Sequence, residues 1–315
     1  MTQSGYWRDT RVENRRSVLN QYGAINNVWI VAPQGGPGPL GGFGRSPSGN
    51  FSSFADLKPH LRSRDIVYVF GVVREHFVTP AGVYDVTVLG AANQPRQATS
   101  GGVPTGGGAS WLPPTSPTAL TPLVEVIAQG WVFQNIEFAP TTSAAAIRLT
   151  RSASVDATDA SHAQIIDCYF LGGGTGQIGI EDNGGASFVL VDGCRFQALT
   201  GTAILGLTTA SNVPQDWRIV NCIFWQNTND IKMSLNFSVI QNCHFCSAGS
   251  GSTNKVVSTV ALSGQGANNH ITLNFFHNSA AQVQISNGYS GASTDMWANY
   301  AIGQAALVIT SPPGA

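Results

Sequence analysis

Short apolar segments recur along the second half of the sequence, and most of them end on an aromatic residue. Within each segment apolar and polar positions alternate, as expected for a β-strand with one buried face. The interval from one closing aromatic residue to the next runs from 21 to 32 residues. The segments are 132–138, 165–170, 190–196, 219–224 and 239–245, followed by two degenerate copies at 271–276 and 296–300.

A second alternating segment follows most of these aromatic residues, as at 146–149, 178–180 and 203–205. Each repeat therefore predicts two short strands separated by Gly, Asn and Ser turns. Such a unit cannot bury its own apolar face, but units stacked along an axis bury a continuous column. A propeller blade needs four strands in about 40 residues and a leucine-rich repeat needs a regular leucine pattern. We therefore predict an all-β solenoid of parallel strands.

Equivalent positions of successive repeats are expected to stack on one another. Cysteines fill one position and suit an inward column, because the thiol is small and apolar. The cysteines are Cys168, Cys194, Cys222 and Cys243, with Ile136 in the same place one repeat earlier. Amides and an acid fill the preceding position, where they can bond to the next repeat at a bend; they are Asn135, Asp167, Asn221 and Asn242, with Gly193 as the exception. The closing aromatic residues alternate in phase with Val and Ile, which predicts that they also face inward.

The I-x-N-C-x-F register of these segments resembles that of right-handed parallel β-helices of the pectate-lyase-like superfamily. In the N-terminal half, residues 54–69 resemble the capping helix and first strand of such proteins, and 84–90 resemble the next turn. The resemblance covers residues 25–310. It implies an all-β, single-stranded, right-handed parallel β-helix of roughly nine turns, with a short N-terminal capping helix and an arm.

Composition divides the chain into five parts. Residues 1–24 are expected to form an N-terminal arm, 25–92 the cap and first turns, 123–310 the repeats, and 311–315 a C-terminal tail. The Gly- and Pro-rich residues 93–122 are expected to be a long loop excursion, and loops of that length are usually functional or form a contact surface. Candidate partner contacts are Tyr6, Trp7, Arg8, Arg11, Arg15, Arg16 and Trp111.

Charge is unusually scarce. Charged residues make up 10% of the chain, against roughly 25% in an ordinary soluble domain, and the formal net charge is −1. A helical bundle would need more charge on its exposed faces, and a nucleic-acid-binding protein would need more basic residues. No apolar run approaches the ~18 residues of a membrane span, and no apolar signal region opens the chain. We therefore expect neither a nucleic acid nor a membrane as partner, and synthesis in a cytosol, which five cysteines also fit.

Glu181 and Asp182 follow the second strand of one repeat, where β-helix enzymes often hold carboxylates. They are the catalytic residues that we expect if the chain is an enzyme. Glycoside hydrolysis needs two carboxylates ~5–9.5 Å apart, but we expect no stacked pair of acids in one register. Cys243 and Cys246 lack two further zinc ligands at suitable spacing, and the glycine run 172–176 lacks the lysine of a phosphate-binding loop. The residues therefore predict no enzymatic activity, no cofactor and no metal.

Two classes of function stay open, because a fold alone does not give an activity. The first is implied by a resemblance to the shorter β-helix proteins of bacteriophages. It is a non-enzymatic structural protein of the virion, which is assembled in the host cytoplasm. We expect such a protein to act as a homotrimeric capsid cement or decoration protein, bound to the major capsid protein or another virion subunit. The alternative is a tail-associated β-helix protein or a tailspike-like polysaccharide depolymerase.

Overall fold

The computed structural model describes residues 27–33, 49–91, 109–117, 120–141, 143–152, 158–207, 213–247, 255–259, 269–278, 282–287, 299–302 and 306–309. In these residues the chain winds through three parallel sheets, and each full coil adds one strand to each sheet. Connections between parallel strands of one sheet are nearly always right-handed. The predicted parallel β-helix is confirmed: in the described residues, eight coils supply one strand to each of the three sheets, and a ninth supplies Tyr300–Ile302 and Ala306–Ile309.

The strands are numbered in chain order. The first sheet contains β1 (Val28–Val31), β2 (Gly49–Phe51), β3 (Ile66–Val69), β6 (Thr87–Gly90), β9 (Val132–Gln134), β12 (Gln164–Ile166), β15 (Leu190–Asp192), β18 (Arg218–Val220), β21 (Val239–Gln241) and β24 (His270–Thr272). The second contains β4 (Val72–Arg74), β7 (Ser110–Leu112), β10 (Glu137–Phe138), β13 (Tyr169–Leu171), β16 (Arg195–Gln197), β19 (Ile223–Trp225), β22 (His244–Ser247), β25 (Phe275–Asn278) and β27 (Tyr300–Ile302). The third contains β5 (Phe77–Val78), β8 (Val124–Val126), β11 (Ala145–Thr150), β14 (Ile178–Asn183), β17 (Thr202–Leu207), β20 (Asn229–Lys232), β23 (Lys255–Thr259), β26 (Gln282–Asn287) and β28 (Ala306–Ile309).

The prediction of two strands per repeat is wrong, because the segment that ends on each aromatic residue contains two strands rather than one. They meet at a bend whose first residue has a left-handed backbone, with φ of 58° at Asn135, 51° at Asp167 and 67° at Gly193. Asn, Asp and Gly adopt this conformation at the least cost. Across the bend the inward residues are three positions apart, as at Phe133 and Ile136, whereas Ile136 and Phe138 are two apart, so one continuous alternating strand does not describe the segment.

Amide side chains at the bends bond to the neighbouring coil. The Asn135 amide donates to the carbonyl oxygen of Gly90 at 3.0 Å. Three and four coils further on, the acceptors are themselves side chains at or beside a bend: Asn221 donates to Asp192 Oδ1 at 2.8 Å, and Asn242 donates to Asn221 Oδ1 at 2.7 Å. The bends therefore form a hydrogen-bonded edge along the solenoid.

The four cysteines lie in one file inside this edge, and all of them are buried free thiols. Their carbonyl oxygens accept backbone N–H groups of the following coil at 2.8 to 2.9 Å, from Arg195, Ile223, His244 and Phe275 in turn. Asn274 occupies the same position in the next coil, where its Oδ1 accepts the backbone N–H of Cys243 at 3.0 Å. A buried amide therefore continues the thiol column.

The core of the second sheet is a file of aromatic rings that face inward, as the alternation predicts. Neighbouring ring centroids are 4.6 to 6.0 Å apart, the range in which offset stacking is favourable. The rings belong to Phe54, Trp111, Phe138, Phe170, Phe196, Phe224, Phe245 and Phe276.

A short helix, α1 (Phe54–Leu57), covers the N-terminal end of this file, and the predicted capping helix is confirmed. Ser53 Oγ accepts the backbone N–H of Asp56 at 3.1 Å, and the Glu75 carboxylate accepts that of Phe54 at 2.7 Å. Side-chain acceptors of this kind satisfy N–H groups that a helix start leaves unpaired. A 3₁₀ turn at Lys58–His60 continues the cap.

The loop expected over 93–122 contains the strand β7, which belongs to the second coil. Trp111 is 0% exposed, because it takes the inward position of β7 between Phe54 and Phe138, and its Nε1 donates to the Glu75 carbonyl oxygen at 2.9 Å. The expectation that Trp111 contacts a partner is therefore wrong in this structure. The arm at 1–24, its contact residues Tyr6 to Arg16 and the tail at 311–315 lie outside the described residues.

Three carboxyl groups are buried, and burial outweighs the interactions that favour their charged form, among them the charge of Arg151 near Asp182. Burial raises the pKa of Glu137, Asp182 and Asp230 to about 7 in each case. The backbone N–H of Ala186 bonds to Asp182 and the Asn227 amide bonds to Asp230, and both bonds oppose the rise. These carboxyl groups therefore hold protons in the folded chain at pH values where the unfolded chain has lost them.

The bend column yields a test of stability. Leu273 (φ 56°) takes the position that Asn242 takes one coil earlier, and a left-handed backbone costs a residue such as Leu roughly 1–2 kcal/mol. We expect Leu273→Asn to raise the free energy of unfolding by about 1 kcal/mol and Asn242→Leu to lower it by a similar amount. Urea-unfolding midpoints measure both. An unchanged or lower midpoint for Leu273→Asn would contradict the account of the bend.

The buried carboxyl groups yield a second test. Because their folded pKa of about 7 lies above the ordinary value near 4, the folded chain binds more protons between these values. The stability that they contribute is present at low pH and is lost as the pH rises through 7. We expect the urea midpoint to fall from pH 5 to pH 8, and to fall less in Asp230→Asn. Asp192→Asn, which removes a carboxylate at a half-buried outer position, is the control. If the urea midpoint falls equally with pH in both variants, the account of the buried carboxyl groups is contradicted.

Candidate functional site

The outer face of the third sheet carries a row of charged side chains, which we call the charged row. Paired residues of β8, β11 and β14 place Glu125, Arg148 and Glu181 at the same position of three successive coils. Leu205 and the exposed Lys232 follow in the next two coils. Each of the five comes directly after a buried residue of the core, and successive strand residues point to opposite faces. In a chain with 10% charged residues, this row is a marked concentration of charge.

Arg148 is held between the two glutamates of the charged row. Its Nε donates to Glu181 Oε2 at 2.6 Å, and its Nη2 donates to the Leu120 carbonyl oxygen at 3.4 Å. On the other side of Arg148, Glu125 Oε1 accepts the Thr150 hydroxyl at 2.8 Å. The two glutamates are two strand spacings apart, about 9.6 Å between their Cα atoms. The row thus contains two carboxylates that flank one guanidinium.

The two acids predicted from the sequence do not come together. Glu181 lies in the charged row, whereas Asp182 points to the opposite face of β14 and is fully buried. There Asp182 Oδ1 accepts the backbone N–H of Ala186 at 2.8 Å and holds the turn that follows the strand. Asp182 therefore has a structural role, and the expectation of Glu181 and Asp182 as a pair of catalytic residues is corrected.

The expectation that no two acids share a register is also wrong. Glu125 and Glu181 occupy the same outward position, with Arg148 between them. The sequence does contain a signal for this row. In each third-sheet segment the charged residue directly follows the inward Val or Ile, as in Val124-Glu125, Ile147-Arg148 and Ile180-Glu181. Because the spacing between repeats varies, this column becomes visible only when the inward residues are aligned.

The outer face of the second sheet carries another row, which sequence analysis missed. It runs through Ser110, Glu137, Tyr169, Arg195, Ile223 and His244 on successive coils. Both carboxyl oxygens of Glu137 and Nε of Arg195 are buried and have no hydrogen-bond partner. In the sequence this row corresponds to the variable position between the inward Cys and the inward Phe of the I-x-N-C-x-F register.

Among the described residues, no group of three or more His, Cys, Asp or Glu side chains could hold a metal ion. In the same part of the chain, no helix has the length and the apolar character to cross a membrane.

No family model matches the sequence, and no curated protein matches it. Solved structures with a similar fold include pectate lyase Pel9A, with 14% identity and a TM-score of 0.49 over 91% of this chain and 78% of that one. An alginate lyase from Paenibacillus sp. str. FPU-7 has 11% identity and a TM-score of 0.41 over 82% of this chain and 95% of that one. Pectin methylesterase PemA from Erwinia chrysanthemi has 12% identity and a TM-score of 0.39 over 88% and 80%.

These similarities concern the fold alone, the parallel β-helix that the three sheets of this structure form. The expectation of a protein without enzymatic activity is corrected by this comparison, since the three structures are those of two lyases and an esterase. The similarity carries neither their substrates nor their catalytic residues to this chain.

Proposed function

We propose that this protein cleaves an acidic polysaccharide that lies along the charged row. The observation that supports the proposal is the alignment of Glu125, Arg148 and Glu181 at one outward position of three successive coils. Polysaccharide cleavage by hydrolysis uses two carboxyl groups on either side of the bond that breaks. The row supplies two such groups and a fixed cation on the outer face of one sheet, where Glu181 is 5% exposed.

A linear polymer matches the geometry of the row. From Glu125 to Lys232 the row crosses four strand spacings, or about 19 Å. Arg148 and Lys232 would attract the acidic groups of the polymer, and the guanidinium stays charged at any working pH. Thr150 and Asn183 are paired on neighbouring strands beside the row, where they can bond to sugar hydroxyls.

The two glutamates would divide the proton transfers. Glu125, which accepts the Thr150 hydroxyl, would donate a proton to the glycosidic oxygen as the bond from that oxygen to the anomeric carbon breaks. Glu181, oriented by Arg148, would take a proton from the water that attacks the anomeric carbon. The Cα atoms are about 9.6 Å apart, just above the ~6.5–9.5 Å that separates the two carboxyl groups where this water has room.

We expect Glu125→Gln and Glu181→Gln each to lower the rate of reducing-end release from acidic polysaccharides by about 10²–10⁴-fold, because each removes one proton-transfer group. The measurement is a reducing-end assay on alginate, polygalacturonate and acidic bacterial capsular polysaccharides. Asp192→Asn removes a carboxylate from the outer face of the first sheet and serves as the matched control. Full activity in both glutamine variants, or no release from any acidic polysaccharide by the native chain, would refute the proposal, and products with an unsaturated end would exclude hydrolysis.

The bacteriophage virion as location, the homotrimeric state and the capsid-protein partner stay predictions from the sequence. The arm on which the predicted contacts depend lies outside the described residues.

A further inference from the structure

One corner of the solenoid exposes aromatic side chains on a backbone that does not suit them. It lies two residues before β9, β12, β15, β18 and β21, and one residue of each coil has a left-handed backbone there. These residues are Gly130, His162, Phe188, Asp216 and Phe237, with φ of 74°, 63°, 58°, 55° and 52° in turn. Glycine and aspartate adopt this conformation readily, whereas it is an outlier for a bulky residue. Phe188 is 52% exposed and Phe237 is 51% exposed, so neither ring contributes to the core in return.

Backbone hydrogen bonds hold the corner residues one above another. The N–H groups of His162, Phe188 and Asp216 each donate to the carbonyl oxygen just before the corner residue of the next coil, at 2.8 to 3.0 Å. The next residue after Asp216, Trp217, is buried, and its Nε1 donates to the Ala186 carbonyl oxygen at 2.7 Å. The spacing of side chains at this corner is therefore fixed before any ligand binds.

The stack of His162 on Phe188 gives the direction of the rings at the corner. Their centroids are 4.8 Å apart and their planes differ by 5°, so the faces of the Phe188 ring are directed along the solenoid. The face that does not contact His162 is directed toward the coils of Asp216 and Phe237. Two strand spacings, about 9.6 Å, separate the corner positions of Phe188 and Phe237. A group bound on the coil of Asp216 would therefore lie about 4.8 Å from each ring.

Asp216 supplies a negative charge between the two phenylalanines. Its side chain is half-buried, and within the described part of the chain no ion pair or side-chain hydrogen bond engages its carboxylate. A cation is attracted to the face of an aromatic ring within ~6 Å of the ring centroid, and sites for quaternary ammonium groups combine several such faces. A neutral group would gain nothing from the carboxylate, and an anion would be repelled by it. Spacing and charge therefore both favour an organic cation.

We propose that this corner, formed by Phe188, Asp216 and Phe237 and here called the aromatic corner, binds a small molecule through a trimethylammonium group. The methyl groups would contact both phenyl rings, while the charge faces the Asp216 carboxylate. The gap is one coil wide, so it admits one such group. This binding goes beyond polysaccharide cleavage and does not involve the charged row, which lies on the third sheet.

Titration with choline, followed by nuclear magnetic resonance, tests the proposal. We expect choline to bind, and its neutral isostere, in which a tert-butyl group replaces the trimethylammonium group, to bind about fivefold more weakly or worse. Phe188→Ala, Phe237→Asn and Asp216→Asn should each weaken choline binding about threefold or more. Trp225→Ala is the matched control, since Trp225 is 40% exposed on the second sheet and should leave choline binding unchanged.

Phe237→Asn separates a role in binding from a role in folding. Asparagine tolerates the left-handed backbone better than phenylalanine, so we expect weaker choline binding together with an unchanged or higher urea midpoint. A urea midpoint that falls together with choline binding would assign Phe237 to the fold and overturn the proposal.

The proposal is also overturned if choline does not bind, if the neutral isostere binds as tightly, or if Phe237→Asn binds choline like the native chain. A changed oligomeric state of Phe188→Ala, in a chain that does not bind choline, would assign the corner to contacts between copies instead. Glu125→Gln should bind choline normally while it loses cleavage. Failure of the aromatic corner and failure of the charged row are therefore separate results.

Discussion

The structure depends on one constraint, which is that each coil pairs with the next in parallel and in register. Every backbone bond between coils places a residue directly above its equivalent one coil earlier, about 4.8 Å away. Arg195, Ile223 and His244 donate to the carbonyl oxygens of three successive cysteines in this way. The same repetition that builds the core therefore turns each column of the sequence into a line on the surface.

This constraint explains how a chain with few charges concentrates them. An outward column that contains Glu, Arg and Glu becomes a row in which Arg148 reaches Glu181 at 2.6 Å, although the two are 33 residues apart in sequence. The inward column beside it places Asp182 in the core, where burial raises its pKa to about 7. Neighbouring acids of one strand thus acquire different chemistry only because they point to opposite faces.

Much of the fold could be predicted from the sequence, because repetition and alternation determine it. The cysteine and aromatic columns, the amides at the bends and the capping helix all follow from those two features. The third strand of each coil could not be predicted, because the strands on either side of the bend at Asn135 are only three and two residues long, too short to show separate patterns of alternation. Strand β7 was missed because the surrounding residues are rich in Gly and Pro, although Trp111 anchors it in the core. Of the candidate site only Glu181 was predicted, since Glu125 and Arg148 acquire a role only through the register between coils.

A distance between outward positions on different coils tests the register most directly. Gln164→Cys and His270→Cys, in a Cys246→Ser background, place spin labels at one outward position of the first sheet, four coils apart. Double electron–electron resonance should give a single narrow distance near 19 Å, which is four strand spacings of ~4.8 Å. A broad distribution, or a distance well above 30 Å, would contradict the stacked register and with it both surface rows.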